Sequence, residues 1–346
     1  MKKINLRNDY CSIAHDEILK ALLNANNNTY VGYGLDEECE QASNLIKKQL
    51  NNENVDVFFL SGGTITNKVF ISHILKPYEA VISPDTGHIN THETGTIEQS
   101  GHKVISVPNV NGKIKCEDIK NICLNHTDEH MVKPKMVYIS NPTEFGTIYT
   151  KKELEEISNI CKQYELYLYV DGARLATALT SKNNDLTLES MSKLVDGFYI
   201  GGTKNGLVLG EALVIMNKEL SKEIRYSIKH FGGMYCKSFV TGIEFKALFT
   251  NDLFFKIGEL ENNQAIKLYN GLKEIGVEFL YPQDTNQIFP IFENDIIEKL
   301  RNFLMFEMWE QGNKKSIIRF VTHYKLTDEH INYTIEIVKK LLSKEI

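Results

Sequence analysis

Two short segments carry residues that could together bind a cofactor through its aldehyde. The segment Gly-Gly-Thr-Lys that ends at Lys204 follows the apolar run 198–200, and Asp171 follows the apolar run 166–170. Apolar runs bounded by glycine and polar residues are typical of buried parallel strands. Open α/β sheets bind ligands at the carboxyl ends of such strands. A lysine amine and a carboxylate placed there suit pyridoxal 5′-phosphate (PLP), with the amine in a Schiff base and the carboxylate paired with the pyridinium nitrogen.

Each segment alone has an ordinary structural explanation, because short motifs often arise by chance. An aspartate can cap a helix, and a lysine can lie on a solvated loop. Here Asp171 and Lys204 occur together, separated by 204 − 171 = 33 residues, and a glycine turn of the kind that binds phosphate lies upstream. This combination favours the cofactor site.

The glycine turn is Ser61-Gly62-Gly63-Thr64, which follows the apolar residues 58–60. Glycine lets a backbone approach an anion closely, and the unpaired amides at a helix N-terminus bind phosphate. The hydroxyl of Thr64 can donate a further hydrogen bond. Neither a Walker lysine nor a Gly-x-Gly-x-x-Gly pattern occurs, so a nucleotide site is disfavoured. A glycine turn capped by threonine is the alternative.

The segment 85–95 supplies a histidine and a carboxylate. The ring of His88 could stack on a pyridine ring, and Glu93 could tune that histidine or shuttle protons. His88 and His92 have an i, i+4 spacing that can bind a metal. A third ligand at a recognised spacing is missing, so we predict no metal site. A histidine that is hydrogen-bonded within a loop is the remaining alternative.

Two further strand-like segments end in, or contain, polar groups. In the segment 140–147, Asn141 or Thr143 could bond a ring substituent of a cofactor, or the Asn-Pro pair could form a turn. Arg319 lies inside the apolar segment 317–321, and a buried guanidinium needs a partner. That partner could be a substrate carboxylate held by the bidentate fork of the arginine, or an acidic residue in a structural ion pair.

Short apolar runs alternate with amphipathic stretches up to residue 216, which predicts an α/β fold with a mostly parallel seven-stranded sheet. The predicted strands are 55–60, 80–83, 103–107, 136–140, 166–170, 197–200 and 212–216. After about residue 250 a long helix over 252–274, short strands and a closing helix over 328–343 predict a smaller α+β domain. We therefore place the N-terminal segment and large domain in 1–250 and the small C-terminal domain in 251–346.

Composition excludes several classes of protein. The 346 residues carry a formal net charge of −6 and no basic cluster, which argues against a nucleic-acid partner. The six cysteines have no Cys-x-x-Cys spacing, a pattern that suits a reducing compartment. The N-terminus lacks an apolar signal core, and no apolar run reaches the length of a membrane span. We expect a soluble cytoplasmic protein with no membrane partner.

Taken together, these segments resemble the threonine aldolase / β-eliminating lyase family, PLP-dependent enzymes of the aspartate-aminotransferase-like fold (fold type I). The resemblance extends from Leu6-Arg7-Asn8-Asp9 to Arg319-Phe320-Val321-Thr322-His323. It is most specific in Val170-Asp171-Gly172-Ala173-Arg174-Leu175 followed by the lysine segment.

The resemblance implies a role for each position that matches the family's motifs, and it implies a homodimer or homotetramer. For the cofactor, the resemblance assigns Lys204 to the Schiff base, Asp171 to the pyridine nitrogen and His88 to stacking on the ring, and it assigns Gly63, Thr64 and Thr203 to the phosphate. Arg174 and Arg319 match positions that hold the substrate carboxylate. Tyr33 and Lys229 match positions that make contacts across a subunit interface.

Two positions depart from the family pattern. Asn8 stands where the family usually has serine, and Thr143 stands where many aldolases have a second active-site histidine. The cofactor positions are therefore matched, but the group that handles a substrate hydroxyl is open. His88, directly or through a water held with Glu93, is our candidate base.

The resemblance implies PLP-dependent cleavage of L-threonine, L-allo-threonine or related β-hydroxy amino acids to glycine and an aldehyde. Two alternatives stay open at this point. The same cofactor could support β-elimination or transamination of another amino acid, or the protein could bind the cofactor without catalysis.

Overall fold

The computed structural model describes residues 3–345. The strands that it contains are β1 Ile4–Asn5, β2 Asp56–Leu60, β3 Glu79–Pro84, β4 Val104–Val107, β5 Lys133–Ser140, β6 Tyr167–Asp171, β7 Gly197–Gly201, β8 Glu211–Ile215, β9 Glu278–Phe279, β10 Gln287–Ile288, β11 Pro290–Glu293, β12 Leu304–Met305, β13 Glu307–Glu310 and β14 Lys315–Val321.

Within residues 3–345, fifteen helices and one 3₁₀ turn at Thr250–Asp252 accompany the strands. The helices are α1 Asp16–Ala25, α2 Glu37–Leu50, α3 Gly63–Ile74, α4 His88–Thr91, α5 Thr96–Gln99, α6 Cys116–Asn125, α7 Lys151–Gln163, α8 Leu175–Leu179, α9 Leu188–Ser192, α10 Lys218–Ser221, α11 Ile224–His230, α12 Phe239–Leu248, α13 Leu253–Glu274, α14 Asn294–Leu300 and α15 Asp328–Leu342. None of these helices is both long enough and apolar enough to cross a membrane.

The central sheet has seven strands in the order β2-β8-β7-β6-β5-β3-β4. Strand β8 runs antiparallel to both of its neighbours, and the other neighbouring pairs are parallel. All seven strands expected from the apolar runs are present, so the predicted α/β fold is confirmed. The runs are apolar throughout because helices cover both faces of the sheet.

Parallel neighbours bring the ends of β5, β6 and β7 to one edge of the sheet. Ser140 at the end of β5 pairs with Asp171 at the end of β6, and β7 ends one strand further at Gly201. The lysine segment, the aspartate and the Asn-Pro segment therefore all emerge at the same edge, as the sequence predicts for a ligand site.

Helix ends near this edge are fixed by side-chain caps that the sequence specifies. Thr150 Oγ1 accepts a hydrogen bond from the Glu153 amide at 3.3 Å, and Glu153 Oε2 accepts one from the Thr150 amide at 2.8 Å. This capping box starts α7 directly after the segment that follows β5. The turn between β5 and α7 is thus anchored at both of its ends.

The small C-terminal sheet has the order β10-β14-β11-β9, with β13 paired to β14. Its core includes Leu6, which is fully buried, and β1 pairs in parallel with β12. The start of the chain therefore packs against this sheet, and residues 7–9 lead from there toward the central sheet. The domain boundary near residue 250 stays a prediction.

Two glycines hold the ends of β6 and β7 together. A Cβ atom on Gly172 would lie 2.0 Å from the carbonyl oxygen of Tyr199, and one on Gly201 would lie 2.2 Å from that of Ala173. The backbone after β6 therefore contacts β7 with no room for a side chain. This close contact fixes Asp171 relative to the segment that carries Lys204.

We predict that Gly172→Ala lowers the free energy of unfolding by at least about 2 kcal/mol, because the added methyl group overpacks a contact between backbones. Urea unfolding of wild type and variant measures the change. Gly62→Ala is the control, since a Cβ atom there meets nothing within 4 Å. Equal losses in the two variants would contradict the explanation.

Candidate active site

A cavity of about 630 Å³ opens between the carboxyl edge of the central sheet and strands β13 and β14. It brings together four residues that the sequence predicts for the site: Lys204, His88, Arg174 and Arg319. The other residues that line it are Tyr10, Thr86, Thr91, His92, Glu144, Phe145, Glu307, Met308 and Trp309.

Lys204 is partly buried in this cavity, and its amine has no hydrogen-bond or ion-pair partner among residues 3–345. The amine Nζ lies 5.9 Å from the centre of the Tyr10 ring. Burial, and then the charge of Arg174, lower the pKa of Lys204. An amine that loses its proton more readily is a better nucleophile toward an aldehyde.

The segment before Lys204 is held by the start of β8. Glu211 Oε2 accepts a hydrogen bond from the Gly202 amide at 2.8 Å, and Thr203 Oγ1 accepts one from the Gly210 amide at 2.9 Å. Thr203, which the resemblance assigns to the phosphate, is thus engaged in fixing this turn. Its role toward a phosphate stays a prediction.

Asp171 is buried at the end of β6 and surrounded by neutral donors. Tyr138 Oη donates to Oδ2 at 2.7 Å, Asn67 Nδ2 donates to Oδ2 at 3.0 Å, and the amide of Ala173 donates to Oδ1 at 3.0 Å. Burial by itself raises the pKa of Asp171, but the charge of His88 and hydrogen bonds from Tyr199, Asn67 and Tyr138 outweigh it, so the pKa is lowered. The carboxylate stays ionised, and no ion pair within the described chain uses it.

Asn67 connects two carboxylates of the site. Its Nδ2 donates to Asp171 at 3.0 Å and to Glu93 Oε1 at 2.7 Å, and its Oδ1 accepts from Tyr169 Oη at 3.1 Å. Asn67 was not predicted from the sequence. Thr66 and Lys68 stand on either side of it, so its amide does not stand out in the segment 65–71. Only the fold shows that this side chain is fully buried and needs hydrogen-bond partners.

His88 and Glu93 form a hydrogen-bonded pair, with Nδ1 of His88 2.8 Å from Oε1 of Glu93. Burial lowers the pKa of His88, but the Glu93 hydrogen bond and the charges of Glu144 and Asp171 outweigh it, so the pKa is raised. Burial raises the pKa of Glu93. His88 lines the cavity and Glu93 is buried, and stacking of His88 on a cofactor ring stays a prediction.

Gly63 and Thr64 begin α3, and no side chain caps this helix. A Cβ atom on Gly63 would lie 2.9 Å from Tyr199 Oη, so a side chain there would crowd this tyrosine. Asn67 lies about one turn further along the same helix and contacts Asp171. The start of α3 is therefore connected to Asp171 through Asn67, and the phosphate role of Gly63 and Thr64 stays a prediction.

Arg174 is buried and forms a two-point contact with Asp9. Its Nε lies 2.5 Å from Asp9 Oδ2, and its Nη2 lies 3.0 Å from Asp9 Oδ1. Asn286 Nδ2 also donates to Asp9 at 3.0 Å. Asp9 therefore orients the guanidinium through Nε and Nη2. Arg174 also lines the cavity. Asp9 was part of the resemblance, but its partner lies 165 residues away and could not be identified from the sequence.

Arg319 has no acidic partner in an ion pair among residues 3–345. Its Nη1 donates weakly to Gln287 Oε1 at 3.4 Å, its buried Nε has no partner, and its guanidinium lies 5.4 Å from the centre of the Trp309 ring. No structural ion pair of Arg319 therefore exists within residues 3–345, and the residue lines the cavity. This arrangement suits the carboxylate of a ligand.

Several positions that the resemblance singled out do not line the cavity, among them Asp171, Gly63, Thr64 and Thr203, as well as Thr143, Tyr33 and Lys229. Thr143 is buried in a turn, with its Oγ1 2.7 Å from Thr147 Oγ1, and the next residue, Glu144, lines the cavity instead. Tyr33 and Lys229 lie together on another exposed surface, where Lys229 Nζ is 5.4 Å from the centre of the tyrosine ring. Their predicted contribution across a subunit interface stays a prediction.

Metal binding gains no support from the geometry. Among residues 3–345 there is no group of three or more histidine, cysteine, aspartate or glutamate side chains that could hold a metal ion. His88 and His92 are neighbours, with ring centroids 5.4 Å apart, but the partner of His88 is Glu93.

Comparison with known proteins gives three findings. A family model described as β-eliminating lyase matches residues 5–295. The low-specificity L-threonine aldolase of Pseudomonas aeruginosa is 30% identical over 82% of this chain and 83% of its own. A solved structure of the threonine aldolase of Leishmania major is 43% identical and has a TM-score of 0.97, over 98% of this chain and 99% of that one.

A more distant structure shares only the fold. The K265A variant of the serine palmitoyltransferase of S. paucimobilis, solved with a bound PLP–myriocin aldimine, is 15% identical and has a TM-score of 0.73 over 99% of this chain and 89% of that one.

Glu211 makes the turn before Lys204 sensitive to pH. Burial raises the pKa of Glu211 to about 7, above its ordinary value of 4.5. The folded chain therefore holds this proton more tightly than the unfolded chain does. The stability contributed by Glu211 is present below pH 4.5 and is lost as the pH rises to about 7.

We predict that Glu211→Gln removes this loss, because glutamine cannot titrate and still offers an oxygen to the Gly202 amide. Between pH 4.5 and pH 8, the variant should become more stable relative to wild type. The difference between their free energies of unfolding should increase by up to about 3 kcal/mol. Urea unfolding of both PLP-loaded proteins across that range measures it. A difference that does not change with pH would contradict the assignment.

Proposed function

The chain belongs to the β-eliminating lyase family of PLP-dependent, fold-type-I enzymes, and from this premise we propose that it cleaves β-hydroxy amino acids to glycine and an aldehyde. L-Threonine and L-allo-threonine are the substrates that we propose. The support comes from relatives that are named threonine aldolases and share up to 43% of their residues with this chain. The observation that carries the proposal is one cavity that contains an unpartnered lysine and an arginine without an acidic partner.

The residues of the site fit PLP. Lys204 would hold the cofactor covalently through its free amine, Asp171 would pair with the ring nitrogen, and the start of α3 would bind the phosphate. When bound, PLP supplies an electron sink for the pair left on Cα when a bond to Cα breaks. The four donors around Asp171 keep it ionised, which is the charge state that a protonated ring nitrogen needs.

We propose that the two arginines orient the substrate. Arg319 offers unsatisfied donors to the substrate carboxylate, and Arg174 offers the edge that Asp9 does not occupy. Fixing the carboxylate would fix the orientation of the bonds to Cα, and that orientation would decide which of them breaks. A substrate whose Cα–Cβ bond is so placed is cleaved between those two carbons.

His88 is proposed to stack on the cofactor ring, held in place by Glu93. The same pair is the base predicted from the sequence for the substrate hydroxyl. That second role stays a prediction, and the cavity offers another group for it.

We also propose that the protein acts in the cytoplasm as a homodimer or homotetramer. The free cysteines are consistent with a reducing compartment. The exposed surface that carries Tyr33 also exposes Val31 and Leu35, which are 76% and 65% accessible. An apolar surface of this kind suits an interface between subunits.

Product analysis tests the proposed activity. The purified, PLP-loaded protein should convert L-threonine to glycine and acetaldehyde in equal amounts, and Lys204→Ala should abolish the conversion. β-Elimination would instead give a keto acid and ammonia without glycine, and transamination would give a keto acid and an aminated cofactor. Either of those product sets, with no glycine formed, would overturn the proposal.

A further inference from the structure

We propose that Glu144 is the catalytic residue that accepts the proton of the substrate's β-hydroxyl group. This inference deepens the proposed function and rests on it. It concerns the position at which the sequence departs from the family pattern, where Thr143 stands in place of a second histidine.

Glu144 lines the cavity and lies in a turn that is closed by backbone hydrogen bonds. The Thr143 amide donates to the Thr147 carbonyl at 2.8 Å, and the Gly146 amide donates to the Thr143 carbonyl at 2.9 Å. Gly146 has a φ of +72°, and a Cβ atom there would lie 3.1 Å from Gln287. The turn therefore packs against the C-terminal sheet, and Glu144 is presented from a fixed backbone.

The neighbour of Glu144 anchors the same turn. The ring of Phe145 stacks on Tyr281 with centroids 4.6 Å apart and packs edge-on against Trp309 at 5.7 Å. Phe145 and Trp309 line the cavity beside Glu144. Glu144 thus lies beside aromatic side chains that line the same cavity.

The carboxylate of Glu144 has no partner of its own. Within residues 3–345 it makes no hydrogen bond and no ion pair, although its charge favours the protonated forms of Lys204 and Arg174. Glu307, the other carboxylate at the cavity, is paired with Arg7. Glu144 is therefore the acidic side chain in the cavity whose oxygens are free to accept a proton.

His88 is less suited to the same task. Its Nδ1 is bonded to Glu93 at 2.8 Å, and although burial opposes protonation, that bond and the neighbouring charges raise the pKa of His88 overall. One of the two ring nitrogens of His88 is therefore already engaged by Glu93. His92 is the remaining rival, but it is exposed at the rim of the cavity.

The proposed step is balanced without any additional reactant. The hydroxyl proton passes to Glu144, the O–H electron pair becomes the second bond of the aldehyde, and the Cα–Cβ bond breaks. The electron pair of that bond remains on Cα, delocalised into the bound cofactor. Protonation of Cα then completes glycine, so one proton leaves oxygen and one is added to carbon.

Glu144→Gln tests the inference, because it keeps the shape of the side chain and removes the base. We expect kcat for threonine cleavage to fall about 100-fold or more, with a smaller change in KM. Exchange of the α-hydrogen of glycine with deuterated solvent needs no hydroxyl group, so it should persist. The absorbance of bound PLP, and its change on adding glycine, should also match wild type.

Two matched variants complete the design. Glu307→Gln removes a carboxylate from the same cavity, but one already paired with Arg7, and it should cleave threonine at nearly the wild-type rate. His92→Gln removes the rival base and should also retain most of the cleavage activity. A large loss in His92→Gln with little loss in Glu144→Gln would overturn the inference.

Other outcomes also decide the question. Cleavage by Glu144→Gln within a few-fold of wild type would overturn the role of Glu144 and leave the proposed function intact. Parallel loss of cleavage and of glycine exchange would show a structural role and would equally overturn it. If wild type exchanges the glycine α-hydrogen but makes no glycine from threonine, the proposed function fails, and the inference falls with it.

Discussion

The site depends on keeping Asp171 ionised inside the protein. Burying a carboxylate without compensation costs several kcal/mol, and burial pushes its pKa upward. Tyr138, Tyr199, Asn67 and the Ala173 amide donate hydrogen bonds to it. Hydrogen bonds to charged groups contribute roughly 1.5–3 kcal/mol each, so these donors can offset the penalty while leaving the charge available to a cationic ring.

This requirement accounts for features that lie well beyond the aspartate itself. Asn67, which donates to Asp171, lies on α3, and α3 starts at the glycine turn after β2, so one helix carries both the glycine turn and a donor to Asp171. Gly172 and Gly201 allow the backbones after β6 and β7 to touch, which sets the distance between the carboxylate and the lysine segment. Glu211 then fixes that segment from β8. The geometry of the cofactor site is therefore built into the strand ends.

The sequence predicts the sheet and the main cofactor residues because both leave local signals. Buried parallel strands are continuous apolar runs, and Asp171 and Lys204 stand directly after two of them. Asn67, Asp9 and Glu144 left no comparable signal, since their roles depend on partners or surfaces brought near by folding. Thr143 is the clearest case in which the sequence pattern did not point to the side chain that lines the cavity. It matched the family position, but its hydroxyl is hydrogen-bonded to Thr147 within a turn, and the next residue, Glu144, lines the cavity.

The most direct test of this account is to reduce the PLP-loaded protein with borohydride, digest it and locate the modified peptide by mass spectrometry. We expect one pyridoxyl group per chain, attached to Lys204, whose amine is free of partners in the cavity. Asp171→Asn should weaken retention of the cofactor without moving the attachment point. A pyridoxyl group on another lysine, or none at all, would contradict the assignment of the site.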